Sequence, residues 1–117
     1  MHEFAICGSV VEATLDAWRK LEQPAARVRR VRVVIGRMHQ IVPDNLQMAF
    51  EVLTRDTPAA GAVLETIYVA VQAVCGSCGW RGEIAQPFFL CGSCQSGDLR
   101  LERGKELYLD QLEVEEP

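Results

Sequence analysis

CGSCGWRGEIAQPFFLCGSC, residues 75–94, carries two Cys-x-x-Cys pairs, Cys75/Cys78 and Cys91/Cys94, with twelve residues between them. Two tight turns of this kind can close four thiolates around a soft cation. A tetrahedron of thiolates is the geometry zinc takes in closed, structural sites. Gly76 and Gly92 lie inside the turns, where small residues let backbone amides point at sulfur. The gap is slightly shorter than the usual four-Cys zinc pattern and is long enough for a short β-hairpin. Zinc is the default metal; iron in a rubredoxin-like site is the alternative, and colour separates the two. Two disulfides or a redox dithiol form the bland reading, but an isolated redox motif would not need a second matched pair.

Working outward, residues 63–74 alternate and run straight into Cys75, so the cysteine module is inserted at a strand end without a linker. Ile67, Val69 and Val71 are expected on one face of that strand, with Tyr68 on the other. Trp80 and the run Pro87-Phe88-Phe89-Leu90 are expected to form the small apolar core of the module. After Cys94 come a turn at Gln95-Ser96-Gly97-Asp98, then Leu99–Leu101, and Gly104 as a hinge or turn. A last strand spans residues 106–114. Its apolar residues change face between Leu109 and Leu112, which a bulge near Asp110 would repair.

Upstream, Phe4, Cys7, Val11, Leu15 and Trp18 recur at helical spacing and predict a helix over residues 3–22, ended by Pro24. Cys7 on that stripe reads as a small buried hydrophobe, with a metal-facing thiol as the sharper option. Residues 27–35 form a strand that buries Val31, Val33 and Ile35. The arginines at 27, 29, 30 and 32 read as a solvated face or, more sharply, as a dock for an acidic partner. His39 sits in the following loop and is expected to be exposed, with a metal or partner contact as the sharper option. Pro43 opens a second helix to about Thr54, with Leu46, Ala49, Phe50 and Leu53 facing inward. The expected fold is α+β: a small three-stranded sheet with two helices on one face, plus an inserted zinc-ribbon-like four-Cys module. The expected division is residues 1–72 with 105–117 as one domain and 73–104 as the zinc-binding module.

The chain has 117 residues and a net charge of −4, which gives no support to a sequence-independent nucleic-acid binder. No apolar run reaches the roughly 18 residues of a membrane span. The N-terminus lacks a basic stretch and carries Glu3 and Glu12 among its apolar residues, so it does not read as a signal peptide. That predicts a cytoplasmic, reducing setting, in which paired cysteines more often hold metal than form disulfides.

A closed four-thiolate zinc has no open position, and no phosphate loop, HExxH or evident nucleophile–base pair is present, so no enzyme is expected. Attention moves to Met1-His2-Glu3. The Met1 α-amine, the His2 backbone nitrogen and the His2 imidazole can reach one ion in fused chelate rings. Ni(II) and Cu(II) can displace the amide proton and favour such square-planar nitrogen sites. Glu3 offers a fourth donor, through its backbone nitrogen or its carboxylate.

Met-His-Glu at the start, an amphipathic helix, a strand and then paired Cys-x-x-Cys motifs resemble the HypA/HybF family. IGRMHQIVPDNLQMAFEVLTRDTPAAGAVLE resembles the family's middle section and GKELYLDQLEVE its end, so the resemblance covers essentially the whole chain. One departure is Ala5, where many members carry Ser. The resemblance implies a nickel metallochaperone of hydrogenase maturation. Nickel would be held by His2 and its neighbours Met1 and Glu3, and structural zinc by Cys75, Cys78, Cys91 and Cys94. It implies work with the GTPase HypB and delivery of Ni(II) to the [NiFe]-hydrogenase large-subunit precursor. The other function class is a zinc-ribbon adaptor for proteins or nucleic acid, against which the acidic balance counts. Monomer, homodimer and domain-swapped forms stay open.

Overall fold

The computed structural model describes residues 2–22, 26–85 and 89–115. The chain divides into two compact units: Met1–Val34, Ile41–Ile67 and Tyr108–Pro117 form one, and Ile35–Gln40 with Tyr68–Leu107 the other. The elements run α1 (His2–Arg19), β1 (Arg27–Gly36), a 3-10 turn (Arg37–His39), α2 (Pro43–Leu53), β2 (Val63–Val69), β3 (Val71–Cys75), β4 (Arg81–Ile84), β5 (Leu99–Arg103) and β6 (Leu107–Glu115). They build two three-stranded sheets, β2-β1-β6 and β4-β3-β5.

In the first unit α1 and α2 pack on each other. Its core holds Cys7, Val10, Val11, Val28, Val31, Val33, Leu46, Ala49, Phe50 and Leu64. α2 follows expectation: Pro43 opens it without needing an N–H, and Leu46, Ala49 and Phe50 recur on the buried side. α1 is rotated from the expected stripe. Its buried residues are Glu3, Cys7, Val10, Val11 and Thr14, while Phe4, Leu15 and Trp18 are half-buried. The reason is polar satisfaction. Thr14 Oγ1 donates to the Val10 carbonyl at 2.8 Å, and Glu3 accepts from the main chain at Val42. A partnered polar side chain can enter a core that an unpartnered one could not. Trp18 instead uses its indole N–H on the Ala26 carbonyl, 2.6 Å away. α1 ends at Arg19, earlier than residue 22, and Pro24 lies outside the described residues.

The arginine strip of β1 is answered by carboxylates on the flanking strands. Arg30 and Arg32 reach Glu65 of β2 at 3.4 and 3.3 Å, and Arg30 also reaches Glu113 of β6 at 3.4 Å. The strip is therefore a paired strand face.

The single strand expected over residues 63–74 is two strands, broken at Ala70 and placed in different sheets. Val71, Ala73 and Cys75 are buried, whereas Ile67 is exposed. Ile67 and Val71 thus do not share a buried face. Apolar residues occupy both parities through this stretch, so alternation alone could not mark the crossing from one sheet to the other.

In the second unit β3 is the central strand. It pairs antiparallel with β4 (Val71 opposite Ile84, Val74 opposite Arg81) and with β5 (Cys75 opposite Leu99). Among the described residues between the cysteine pairs there is one strand, β4, and it pairs with β3. The module's core is Val71, Ala73 and Ile84, with Trp80, Phe89, Leu99 and Leu101 against it. Leu90 is exposed, contrary to expectation; Pro87 and Phe88 lie outside the described residues.

One close approach depends on glycine. Gly104 has φ +112°, and a Cβ there would meet Val71; a Cβ on Gly36 would collide with the Gly104 backbone. Gly36 N–H donates to Glu106 and Met38 N–H to Gly104, tying the 3-10 turn to the β5–β6 turn within this unit. Along β6, Leu107, Leu109, Leu112 and Val114 are half-buried. The alternation slips at Asp110–Gln111, where both residues are exposed, as the sequence pattern requires.

Candidate metal sites

The four cysteines form two knuckles built on the same hydrogen-bond plan. Gly79 N–H returns to the Cys75 carbonyl (3.0 Å) and Gln95 N–H to the Cys91 carbonyl (3.1 Å). Cys75 N–H donates to Trp80 (2.7 Å) and Cys91 N–H to Ser96 (2.8 Å). Each turn closes on a residue in the left-handed region, Gly79 at φ +81° and Gln95 at φ +62°. Ser77 Oγ and Ser96 Oγ meet at 3.1 Å, linking the first knuckle to the segment after the second. Trp80 lies against Gly82 and Gly92, where any Cβ would strike the indole.

All four sulfurs lie within 4.8 Å of one another. Cys75 Sγ is 3.7 Å from Cys94 Sγ, and Cys78 Sγ is 3.6 Å from Cys91 Sγ. A disulfide would bring sulfurs to about 2.05 Å. Thiolates around zinc at about 2.3 Å stand about 3.8 Å apart along each edge of the tetrahedron. The donor set therefore fits a four-thiolate ion. Cys75 and Cys91 are buried and Cys78 and Cys94 exposed.

The electrostatics point the same way. Ser77 N–H donates to Cys75 Sγ, and both Ser93 and Cys94 N–H donate to Cys91 Sγ, each at 3.3 Å. Burial pushes the Cys91 thiol up, but the Cys94 and Ser93 amides and the neighbouring thiols outweigh it and bring it to about 6. Cys75 is lowered chiefly by the Cys78 amide. For Cys94 the Ser96 amide pulls downward, but burial and the thiols of Cys78, Cys75 and Cys91 drive it up to about 12. These groups titrate together: the first proton leaves easily and the last is held against accumulated negative charge. A divalent cation is the natural relief of that repulsion.

The second candidate site is the first turn of α1. The His2 side chain is 55% exposed, whereas Glu3 is buried beneath it. His2 Nε2 lies 3.7 Å from Glu3 Oε2. That same oxygen accepts the Val42 N–H at 3.1 Å, at the start of α2. The Val42 amide, first, then the residue's own main-chain N–H hold the Glu3 carboxyl below the ordinary carboxylate range, against the opposing effect of burial. Met1 lies outside the described residues.

The chain aligns over residues 1–114 with the family model described as "Hydrogenase/urease nickel incorporation, metallochaperone, hypA". It belongs to the HypA family. The hydrogenase maturation factor HypA of Chlorobium limicola is 37% identical over 116 residues, covering 99% of this chain and 98% of the relative. That of Crocosphaera subtropica is 34% identical, covering 99% and 97%. The solution structure of the Ni metallochaperone HypA from Helicobacter pylori shares the fold, with a TM-score of 0.64 at 22% identity over 98% of both chains. Family membership makes this chain a nickel metallochaperone of hydrogenase maturation.

Two other candidates from the sequence fall elsewhere. Cys7 is fully buried and burial pushes its thiol up to about 11, so it is a protonated core residue at neutral pH. His39 belongs to the second unit, where its Nε2 lies 3.0 Å from the Lys105 carbonyl oxygen. Sequence reasoning missed the Val42 N–H as a partner of Glu3. A main-chain donor carries no residue signature, so only the fold could show it. Among the described residues no helix is long and apolar enough to cross a membrane.

Proposed function

We propose that this chain takes up Ni(II) at Met1, His2 and Glu3 and passes it to the [NiFe]-hydrogenase large-subunit precursor, working with the GTPase HypB in the cytoplasm. The reading is supported above all by one observation: the family match runs through the N-terminus, where the structure presents an exposed imidazole at His2 beside a carboxylate at Glu3. An exposed imidazole on a helix end permits stepwise ligand exchange from the solvent side. This suits an ion that must be released as well as bound. Handover changes ligands and makes no covalent bond, so the chain acts as a carrier and not as an enzyme.

Cys75, Cys78, Cys91 and Cys94 hold Zn(II) as a structural ion in this proposal. Four thiolates leave no coordination position for substrate, and the bound ion would contribute folding energy to residues 73–104. Residues 1–72 with 105–117 are assigned to the nickel-binding domain. The chain works as a monomer or as a homodimer.

The test is metal titration with elemental analysis on the full chain. Wild type is expected to hold one zinc and to bind nickel stoichiometrically. His2→Ala is expected to keep the zinc and to lose the nickel. Stoichiometric nickel at wild-type affinity in His2→Ala would overturn the assignment.

A further inference from the structure

We propose that Cys78 and Cys94 are oxidative modification sites, at which a hydroperoxide converts the cysteine cluster into two disulfides that join one knuckle to the other, Cys78 to Cys91 and Cys94 to Cys75. The inference rests on the zinc reading above. The four sulfurs are not equivalent. Cys78 and Cys94, one in each knuckle, are exposed, and Cys75 and Cys91 are buried. Each exposed sulfur has a buried one beside it in the other knuckle. Cys78 Sγ lies 3.6 Å from Cys91 Sγ, and Cys94 Sγ lies 3.7 Å from Cys75 Sγ. Closing either pair to disulfide length needs an approach of under about 2 Å. The knuckles are also tied by contacts that use no metal. Gly76 N–H donates to the Asp98 carbonyl at 2.8 Å, Ser77 Oγ meets Ser96 Oγ at 3.1 Å, and Cys75 stands opposite Leu99 on β5. These hold the first knuckle against the segment that follows the second.

Oxidation of a thiolate follows its exposure, so the attack falls on Cys78 and Cys94. The exposed sulfur takes one oxygen as the peroxide O–O bond breaks, hydroxide leaves, and the sulfur becomes a sulfenic acid. The buried thiolate of the other knuckle then attacks that sulfur. The S–S bond forms, the S–O bond breaks, and a second hydroxide leaves. Each pair of thiolates thus gives two electrons to one peroxide, and the two pairs consume two peroxides. The disulfides leave no thiolate for the ion, which departs with its charge unchanged. Ser77 N–H on Cys75 Sγ, and Ser93 and Cys94 N–H on Cys91 Sγ, hold the two attacking sulfurs in place. Cys7 is fully buried in the other unit and takes no part. A thiol reductant reverses both bonds, as is usual for redox-sensing disulfides of reducing compartments.

The experiment treats the full wild-type chain, loaded with zinc, with hydrogen peroxide. The readouts are colorimetric zinc release, peptide mass mapping without reduction, and trapping of sulfenic acid with dimedone. The expected result is a fall from one zinc per chain to none, with crosslinks Cys75–Cys94 and Cys78–Cys91. Dimedone should mark Cys78 and Cys94, and Cys7 should stay a free thiol. Dithiothreitol with added Zn(II) should restore one zinc per chain. Crosslinks within the knuckles, Cys75–Cys78 and Cys91–Cys94, would overturn the proposal. So would dimedone on Cys75 and Cys91, a zinc loss that reduction does not reverse, or zinc retained at a peroxide dose that fully oxidises glutathione in a parallel sample. Elemental analysis before oxidation separates the two readings. A chain that takes up no zinc would remove the zinc assignment, whereas crosslink mapping on that metal-free chain still decides the pairing.

Discussion

The cysteine knuckles and the first turn of α1, the two sites proposed to take a metal, are prepared differently. The knuckles bring four side-chain donors within 4.8 Å of one another and aim main-chain N–H groups at the sulfurs. The α1 turn presents one exposed imidazole, and the carboxylate beside it is turned inward to Val42. A complete and preorganised donor set binds tightly and releases slowly. An incomplete one, on a helix end open to solvent, binds what it can also give away. On the proposed function, the chain would separate retention from transfer by how many donors it fixes in advance.

The largest expected effect would come from breaking the complete set. Cys91→Ser should take zinc from one per chain to none. Structural zinc sites supply on the order of 10–16 kcal/mol of apparent binding energy in small folded units. The β4-β3-β5 sheet should therefore lose its amide protection, while the helices and nickel uptake persist. Retention of one tightly held zinc by Cys91→Ser, measured by colorimetric release, would erase the contrast between the two sites.

Next comes the backbone that the knuckle unit depends on. Gly104→Ala places a Cβ at φ +112° against Val71 and should cost about 3 kcal/mol, read as a lower denaturant midpoint. A midpoint unchanged from wild type would show that the turn adapts freely.

The acid–base behaviour sharpens the comparison further. In metal-free protein, Cys91 is lowered to about 6 from an ordinary value near 9. The folded state therefore binds fewer protons than the unfolded state between those values. Its stability should rise as pH climbs through that window, and the contribution is lost by the time the pH has dropped below about 6. Cys94, raised to about 12, acts in the opposite sense above about 9. Chemical unfolding of the metal-free chain from pH 5 to 10 checks both slopes; a flat profile would contradict them. Glu3, lowered by the Val42 N–H, should keep its contribution above the normal carboxylate range and lose it only in stronger acid.

Smaller still is Gln95→Gly. The two knuckles match except that one ends on Gly79 and the other on Gln95, both at positive φ. Relieving that strain should add about 1 kcal/mol or less, visible as a slightly higher midpoint for zinc loss on heating. The smallest shift belongs to His2→Ala, which should change stability by no more than about 0.5 kcal/mol because the side chain is exposed. A large loss of stability there would mean that His2 is structural.

Much of this was legible beforehand because it is local. A Cys-x-x-Cys turn needs only four residues to place two sulfurs, and Pro43 with Leu46, Ala49 and Phe50 specifies a helix and its buried side within three turns. The slip in β6 at Asp110 was readable from the phase of its leucines. Less legible was the break at Ala70, since β2 and β3 differ in which sheet they join and not in composition.

By itself, then, the sequence determined the two cysteine pairs, the helix α2, His2 as a candidate ligand and the family to which the chain belongs. Tertiary structure alone decided which way α1 faces and what becomes of Glu3. A charged residue is read from sequence as solvent-facing because burial without a partner is costly. The partner here is a main-chain N–H at Val42, 39 residues away, which any residue but proline could have supplied. Long-range main-chain donors are brought together by folding, and they leave no mark in the order of side chains.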